Sequence, residues 1–373
     1  MHIQSLDLYQ FRNFRQLQVI LSDHVNAFTG ANGCGKTNLL DAVHYLSMCK
    51  SYFNPADSQN ISYGENSFII NGTFILNDEE ERISCSVRLN QRKIFKRNKK
   101  DYDRLSDHIG IFPTVMIAPA DHVLVEGGSE ERRRLLDMVI SQYDHNYLRA
   151  GINYNRTLAQ RNALLKQFQQ TGRKDKSLLQ IWDEQLISSG KIIYESRAAF
   201  MTEYIPLFNY YYALISDSAE QVEMVYESQL ETHDFEQLLD LAFEKDCAST
   251  YTSTGIHKDD LLFRISGHPV KRFGSQGQQK TFLIAVKLAQ FEYIMKKNNV
   301  KPILLLDDIF DKLDDHRVAR LLGLVSADKF GQILLTDTSA DRVKEIFRKI
   351  NTPVKIFEVD KIPESTAAST PEF

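Results

Sequence analysis

Val25-Asn26-Ala27-Phe28-Thr29-Gly30-Ala31-Asn32-Gly33-Cys34-Gly35-Lys36-Thr37-Asn38-Leu39-Leu40-Asp41-Ala42-Val43 joins a strand-like segment, a glycine loop and the start of a new periodicity. Residues 25–29 read as a strand. From Thr37 to Cys49, Leu39, Leu40, Val43, Leu46 and Ser47 recur at helical spacing. The loop between them fits G-x-x-x-x-G-K-[ST], in which glycines let backbone N–H groups close around phosphate oxygens. In that pattern Lys36 reaches the β- and γ-phosphates and Thr37 ligates Mg²⁺. Gly30, Ala31, Asn32, Gly33, Cys34, Gly35, Lys36, Thr37 and Asn38 are therefore the first candidates for ATP contact. A strand that feeds such a loop into a helix places the chain among α/β folds.

A matching segment stands near the other end. Gly274-Ser275-Gln276-Gly277-Gln278 opens a helical pattern that runs to Lys296, and Ile303–Leu306 is a run suited to a strand buried on both faces. Asp307 and Asp308 close that strand, where ligands bind in open parallel sheets. A helix over 315–325 and a strand over 332–336 follow. These features resemble the signature loop and acidic strand end of ABC-type ATPases, in which the signature of one subunit closes on the nucleotide of another. The resemblance implies that Ser275, Gln276, Gly277 and Gln278 bind ATP across a homodimer and that Asp307 holds Mg²⁺ opposite Thr37. Asp308 then orients or deprotonates the attacking water; otherwise the two acids are strand-end caps. Asp314 either crosses the dimer interface or caps the helix before Arg317. Thr336 stands where a transport ATPase carries histidine and can contact the γ-phosphate. Ile117–Asp121 lies where a glutamine loop is expected but contains no glutamine, which leaves Asp121 as its candidate.

Composition sets outer limits. With 373 residues, 43% of them hydrophobic, the chain can build one large core or two ordinary ones. Its net charge of −4 excludes a protein coated with positive charge, so nucleic-acid contact must come from local patches. Four cysteines without metal-type spacing fit a reducing compartment. No leader pattern and no membrane-length apolar run is evident, so a cytoplasmic location without membrane contact is expected.

Between the motifs, residues 68–95 alternate as antiparallel strands at 68–70, 73–75 and 83–87, with breaks at Asn71-Gly72 and Asn77-Asp78. Residues 92–100 are the most basic stretch; Lys93, Lys96, Arg97, Lys99 and Lys100 are either a solvated face or a contact for DNA phosphates. Arg132, Arg133 and Arg134 form a second candidate cluster. Helical periodicity covers 130–143, 147–168, 178–211 and 235–245. The expected organisation is one ATPase head built from residues 1–125 and 250–362, with an antiparallel β layer. A helical arm is inserted at 126–249, and a tail follows at 363–373.

The chain resembles the RecF family of bacterial recombination mediators, relatives of SMC ATPases. The likeness rests on residues 8–15, the loop 30–37 with 38–42, Pro119–Asp121, Glu131–Asp137, Gln160–Leu165, Trp182–Leu186, Gly255–Asp260, Ser275–Lys280 and Leu304–Asp308. It implies a weak, DNA-dependent ATPase without nuclease activity that dimerises on DNA with ATP. It also implies work with RecO and RecR in loading recombinase at gaps. Arg12 then lies near the adenine or α-phosphate; its alternative is a surface salt bridge. The family's G-P-H-R-D-D is here Gly255-Ile256-His257-Lys258-Asp259-Asp260, which replaces a forked guanidinium with a point charge. A transport ATPase subunit is disfavoured by the distance between the motifs and by the arm. A long-range SMC-like tether is disfavoured by the arm's shortness.

Overall fold

The computed structural model describes residues 1–216, 220–309, 320, 323–324 and 329–362. Two compact units divide the chain: Met1–Asp121 with Leu214–Ser216 and Ile284–Phe373, and His122–Ala213 with Asp217–Leu283.

In the first unit, β1 (His2–Phe11) and β2 (Phe14–Ile20) form a hairpin, and β3 (Val25–Thr29) leads into the glycine loop. Strands β4 (Ser67–Leu76), β5 (Glu79–Arg88), β6 (Ile94–Arg97) and β7 (Lys100–Asp101) extend the hairpin into an antiparallel sheet of order β2-β1-β4-β5-β6-β7. The expected break at Asn71-Gly72 is absent, and β4 is continuous. Gly72 is needed for close approach rather than for a turn: a Cβ there would lie 2.5 Å from Leu46 Cδ1 on the helix Lys36–Met48. Asn77 and Asp78 do turn the chain, both with positive φ (52° and 64°), as a two-residue hairpin requires.

The second sheet is parallel. Strands β3, β8 (Thr114–Ile117), β12 (Ile303–Leu306), β13 (Ile333–Asp337) and β14 (Val354–Glu358) stand in the order β14-β3-β13-β12-β8. Residues from both ends of the chain thus complete one sheet. β3, β8, β12 and β13 are buried at every position, which suits the unbroken apolar run of β12 and the mostly apolar composition of the others, where Asn26, Thr29, Thr114, Thr336 and Asp337 are buried polar residues. The helix Lys36–Met48 packs against β4 and β5 of the first sheet and against β8 and β13 of the second. It is buried almost all round, so its apolar residues are not confined to one stripe. Gln332 joins the sheets: its side-chain amide accepts from Ile3 N–H (2.8 Å) and donates to the carbonyls of Ile3 (2.7 Å) and Ser22 (2.6 Å).

The second unit is mainly helical, with helices Ser129–Ile140, His145–Thr171 and Phe235–Ser249 and most of the helix Gln180–Ser216. Asp144 and Asp234 cap two of these through their carboxylates. The unit also holds a three-stranded antiparallel sheet of β9 (Val222–Glu227), β10 (Asp260–Ile265) and β11 (His268–Pro269), in the order β11-β10-β9. Sequence reading assigns residues 250–283 to the head. They pack instead with the helical unit, because β10 pairs along its whole length with β9.

Candidate functional site

Gly30, Gly33 and Gly35 carry φ values of +148°, +85° and +106°, a run that an L side chain would strain. Gly35 also has no room for one: its Cβ would lie 2.4 Å from Asn13 Nδ2 and 2.7 Å from the Phe14 ring. The helix that follows has no side-chain cap and no acid in its first turn, so its positive end is left for an anion. Lys36 is nearly buried and donates to the carbonyls of Gly30 and Ala31, both at 2.9 Å. These are neutral partners, and an ammonium so placed is ready to exchange them for phosphate oxygens.

Parallel pairing of β13 with both β3 and β12 aligns the strand ends, bringing residues about 270 positions apart into one cluster. Thr37 Oγ1 donates to Asp307 Oδ1 at 2.9 Å, and Thr336 Oγ1 donates to the same oxygen at 2.9 Å. Thr336 Oγ1 also accepts from the Asp308 N–H at 2.8 Å. Asp308 has φ +43°, which turns the chain sharply after the buried Asp307. Burial pushes the Asp307 carboxyl above its usual range and Asp308 adds to this, while the two threonine hydrogen bonds oppose it. A divalent cation would reverse that penalty, so this carboxylate beside a threonine hydroxyl is an oxygen donor set suited to Mg²⁺.

Arg12 is held inward. Its guanidinium donates to Asn38 Oδ1 (3.0 Å), to Ser51 Oγ (3.0 Å) and to the buried Asp41 carboxylate. This is neither a simple surface ion pair nor an unengaged base, and its buried Nε finds no acceptor among the described residues. Burial raises the Asp41 carboxyl, chiefly opposed by Arg12. Asn13 donates to the Cys34 carbonyl (2.9 Å) and accepts from Asn38 (2.6 Å), bracing the loop from the β1–β2 turn. Asn13 and Asp41 fall within the stretches that carry the family resemblance, but the sequence assigned no role to them or to Ser51, because spacing alone carries no signal for these contacts.

Asp121 lies in a buried polar knot. Its carboxylate accepts from Lys287 Nζ (2.9 Å), from Tyr52 Oη and from the Ala118 N–H (2.7 Å). Tyr52 in turn donates its N–H to Asp41 at 2.7 Å.

In the second unit, Ser275 and Gln278 form a reciprocal cap on the helix Gln276–Asn298. The Ser275 N–H donates to Gln278 Oε1 (2.7 Å), and the Gln278 N–H donates to Ser275 Oγ (3.2 Å). Ser275 and Gln276 are exposed, and Gln278 Nε2 also donates to Glu220 at 2.7 Å. Asp314 lies outside the described residues, as do most of residues 315–325 and the tail.

Each basic cluster mixes partly buried and exposed side chains. Arg132 makes a fork to Asp260 (2.7 and 2.9 Å), Arg133 donates to the Asp259 carbonyl (2.7 Å), and Arg134 pairs with Glu130 and Glu131. Arg132 and Arg133 brace the second unit, whereas Arg134 is exposed and pairs only with acids of its own helix. In the other cluster, Lys93 donates to the Cys49 carbonyl and pairs with Asp57, Arg97 pairs with Glu81, and Lys96 faces Asp101 at 3.7 Å. Lys99, in the β6–β7 turn, and Lys100, the first residue of β7, are exposed.

In Gly255–Asp260, Gly255, Ile256 and Asp259 are buried, His257 and Asp260 are partly buried and Lys258 is exposed. His257 shares hydrogen bonds with Tyr154 Oη (2.8 Å) and the Thr252 carbonyl (3.0 Å), and burial lowers its pKa to about 4. Asp259 accepts from Arg197 (2.7 Å) and Tyr226 (2.6 Å). The Lys258 ammonium lies 5.1 Å from the Tyr251 ring centre. Among the described residues no helix is long and apolar enough to cross a membrane.

Comparison with known proteins identifies the family and the fold. The family described as "RecF/RecN/SMC N terminal domain" matches residues 2–362. The DNA replication and repair protein RecF of Flavobacterium johnsoniae is 49% identical over 359 residues, covering 96% of this chain and 100% of that protein. Its counterpart in Parabacteroides distasonis is 48% identical over 361 residues, covering 97% and 98%. A solved chain described as the recombination mediator protein RecF with ATP in the RecFOR pathway superposes with a TM-score of 0.84 at 29% identity, over 91% of this chain and 92% of that one. An Smc head domain from Pyrococcus furiosus shares the fold, with a TM-score of 0.55 at 18% identity.

Proposed function

This chain belongs to the RecF family, and on that footing we propose that it is an ATP-dependent DNA-binding protein of replication and repair. Two copies dimerise on DNA with ATP between them, hydrolyse it slowly and separate. The observation that carries this reading is the Thr37–Asp307–Thr336 cluster, which ties the phosphate loop to the acidic strand end.

ATP would lie with its phosphates against residues 30–38, with Lys36 on the β- and γ-phosphates and Arg12 beside the nucleotide. Thr37 and Asp307 would hold Mg²⁺, which supplies charge neutralisation on the phosphates. Asp308 takes a proton from the attacking water as its oxygen bonds to the γ-phosphorus. The bond to the bridging oxygen breaks, leaving ADP and phosphate. An aspartate reaches one methylene less than the glutamate usual in ABC ATPases, which accounts for slow turnover. Thr336 holds the Asp308 amide in place and contacts the γ-phosphate. The Ser275–Gln278 loop of the second copy closes the site, with Asp314 across the interface.

DNA contact is sequence-independent and falls chiefly to Lys99 and Lys100. In the cell the protein would promote recombinase loading at single-strand gaps, with RecO and RecR as partners. It would act in the cytoplasm and without nuclease activity.

Sedimentation of the wild type, Lys36→Met and Ser275→Arg, with and without ATP and with gapped, duplex or single-stranded DNA, tests the proposal. The wild type doubles in mass with ATP, more so with duplex-containing DNA; Lys36→Met binds no ATP; Ser275→Arg binds ATP and stays monomeric. Normal dimerisation of Ser275→Arg would refute the shared site.

A further inference from the structure

The phosphate loop is gripped from a direction that neither nucleotide motif supplies. After β14 the chain makes a single turn, Val359–Lys361, that returns Asp360 to the end of β3. The Asp360 carboxylate accepts the Ala31 N–H at 3.1 Å. It also lies over Gly30, where a Cβ would come within 2.9 Å of Asp360 Oδ2. The turn is delivered firmly: β14 pairs with β3 from Val354 to Glu358, Phe357 stacks on Phe28 with centroids 5.3 Å apart, and Thr29 Oγ1 donates to the Phe357 carbonyl at 3.3 Å.

Lys36 and Asp360 hold the same arc through opposite groups. Lys36 takes the carbonyls of Gly30 and Ala31, and Asp360 takes the amide of Ala31. When Lys36 swings to the phosphates of a bound nucleotide, those carbonyls lose their donor. Asp360 then remains to keep the arc in its shape.

We propose that Asp360 is a positioning residue of the nucleotide site, a clasp that holds the Gly30–Ala31 arc while Lys36 serves the phosphates. The proposal deepens the ATP-site reading and rests on it for its functional meaning, whereas the clasp itself can be tested without nucleotide. Cys34 is a built-in reporter. It is the one half-buried cysteine, while Cys49, Cys85 and Cys247 are buried. Burial pushes the Cys34 thiol up; among the charged groups facing it, Lys36 opposes this and Asp360 adds to it. The reacting species is the thiolate.

Asp360→Ala and Asp360→Asn are compared with the wild type in two measurements: ATP affinity by calorimetry, and the pH profile of iodoacetamide alkylation at Cys34. Loss of one charge-assisted hydrogen bond predicts about fivefold weaker ATP binding in Asp360→Ala. Asp360→Asn, which keeps an acceptor oxygen, recovers most of that loss. Both variants shift the alkylation profile to lower pH, because both remove the negative charge. An alkylation profile identical to wild type in both variants overturns the placement of Asp360 on the loop. Wild-type ATP affinity in Asp360→Ala overturns its positioning role. If the wild type itself binds no ATP, the proposed function fails instead, and the alkylation profiles still decide the clasp.

Discussion

Replacing His108 with glutamine should change how stability depends on pH, and the size of the change follows from where the ring sits. His108 is fully buried between Phe95 and Phe112, with Nε2 2.6 Å from the Leu46 carbonyl and Nδ1 3.1 Å from Tyr102 Oη. One neutral tautomer satisfies both: Nε2–H donates to Leu46 and Nδ1 accepts from Tyr102. Burial lowers the pKa from 6.5 to about 4, against an opposing contribution from the Leu46 carbonyl. The unfolded chain therefore binds a proton near pH 6.5 that the folded chain refuses until about pH 4. Stability from this residue is fully present above pH 6.5 and is lost as pH falls through that window. At about 1.36 kcal/mol per pKa unit, the loss is roughly 2 kcal/mol at pH 5 and about 3.4 kcal/mol once both states are protonated. Urea midpoints followed by circular dichroism, for wild type and His108→Gln at pH 8 and pH 5, give a double difference in which other titrating groups cancel. The gap between the two proteins should narrow by about 2 kcal/mol on acidification. Parallel behaviour, with the same gap at both pH values, would refute the assignment of a buried neutral imidazole.

Two further outcomes are expected. Thr336→Val removes the hydroxyl that bonds both Asp307 and the Asp308 amide; ATP turnover should fall about tenfold, with affinity for ATP changed far less, as measured by steady-state hydrolysis beside direct binding. Lys99→Ala combined with Lys100→Ala should weaken duplex binding and lower the salt slope by about 2, whereas Arg97→Ala, which breaks an ion pair with Glu81, should act mainly on stability.

Much of the first unit is legible in the sequence because its segments obey simple periods. Residues 303–306 are an apolar run since parallel strands are covered on both faces, residues 25–29 stand out by leading directly into the glycine loop, and Lys36–Met48 shows its helix through leucine spacing. Gly72 misleads for a physical reason: glycine marks turns, yet here it lets a helix approach a strand. β9 is hard to see, because Val222–Glu227 is short and its partner β10 begins 33 residues further on, at Asp260. The arginine triplet misleads for a similar reason. Nothing in Arg132–Arg134 itself reveals that Asp260, 128 positions away, takes its first member inward. The phosphate loop and acidic strand end are readable as motifs, but their supports are not. Asn13, Asp41 and Asp360 acquire their places only when β1, the loop helix and β14 are brought around β3.

The helix behind the phosphate loop has a mechanical consequence. With sheets packed on both sides and Gly72 admitting Leu46, it has no slack in which to rotate or slide. It works as an anvil, so whatever lands on the loop must be answered by side chains and by the peptide turns at 30–36 and after Asp307. Such a site can register an incoming anion without softening its own interior. Hydrogen exchange would report that division directly, with amides of residues 39–48 staying slow whether or not the loop is engaged.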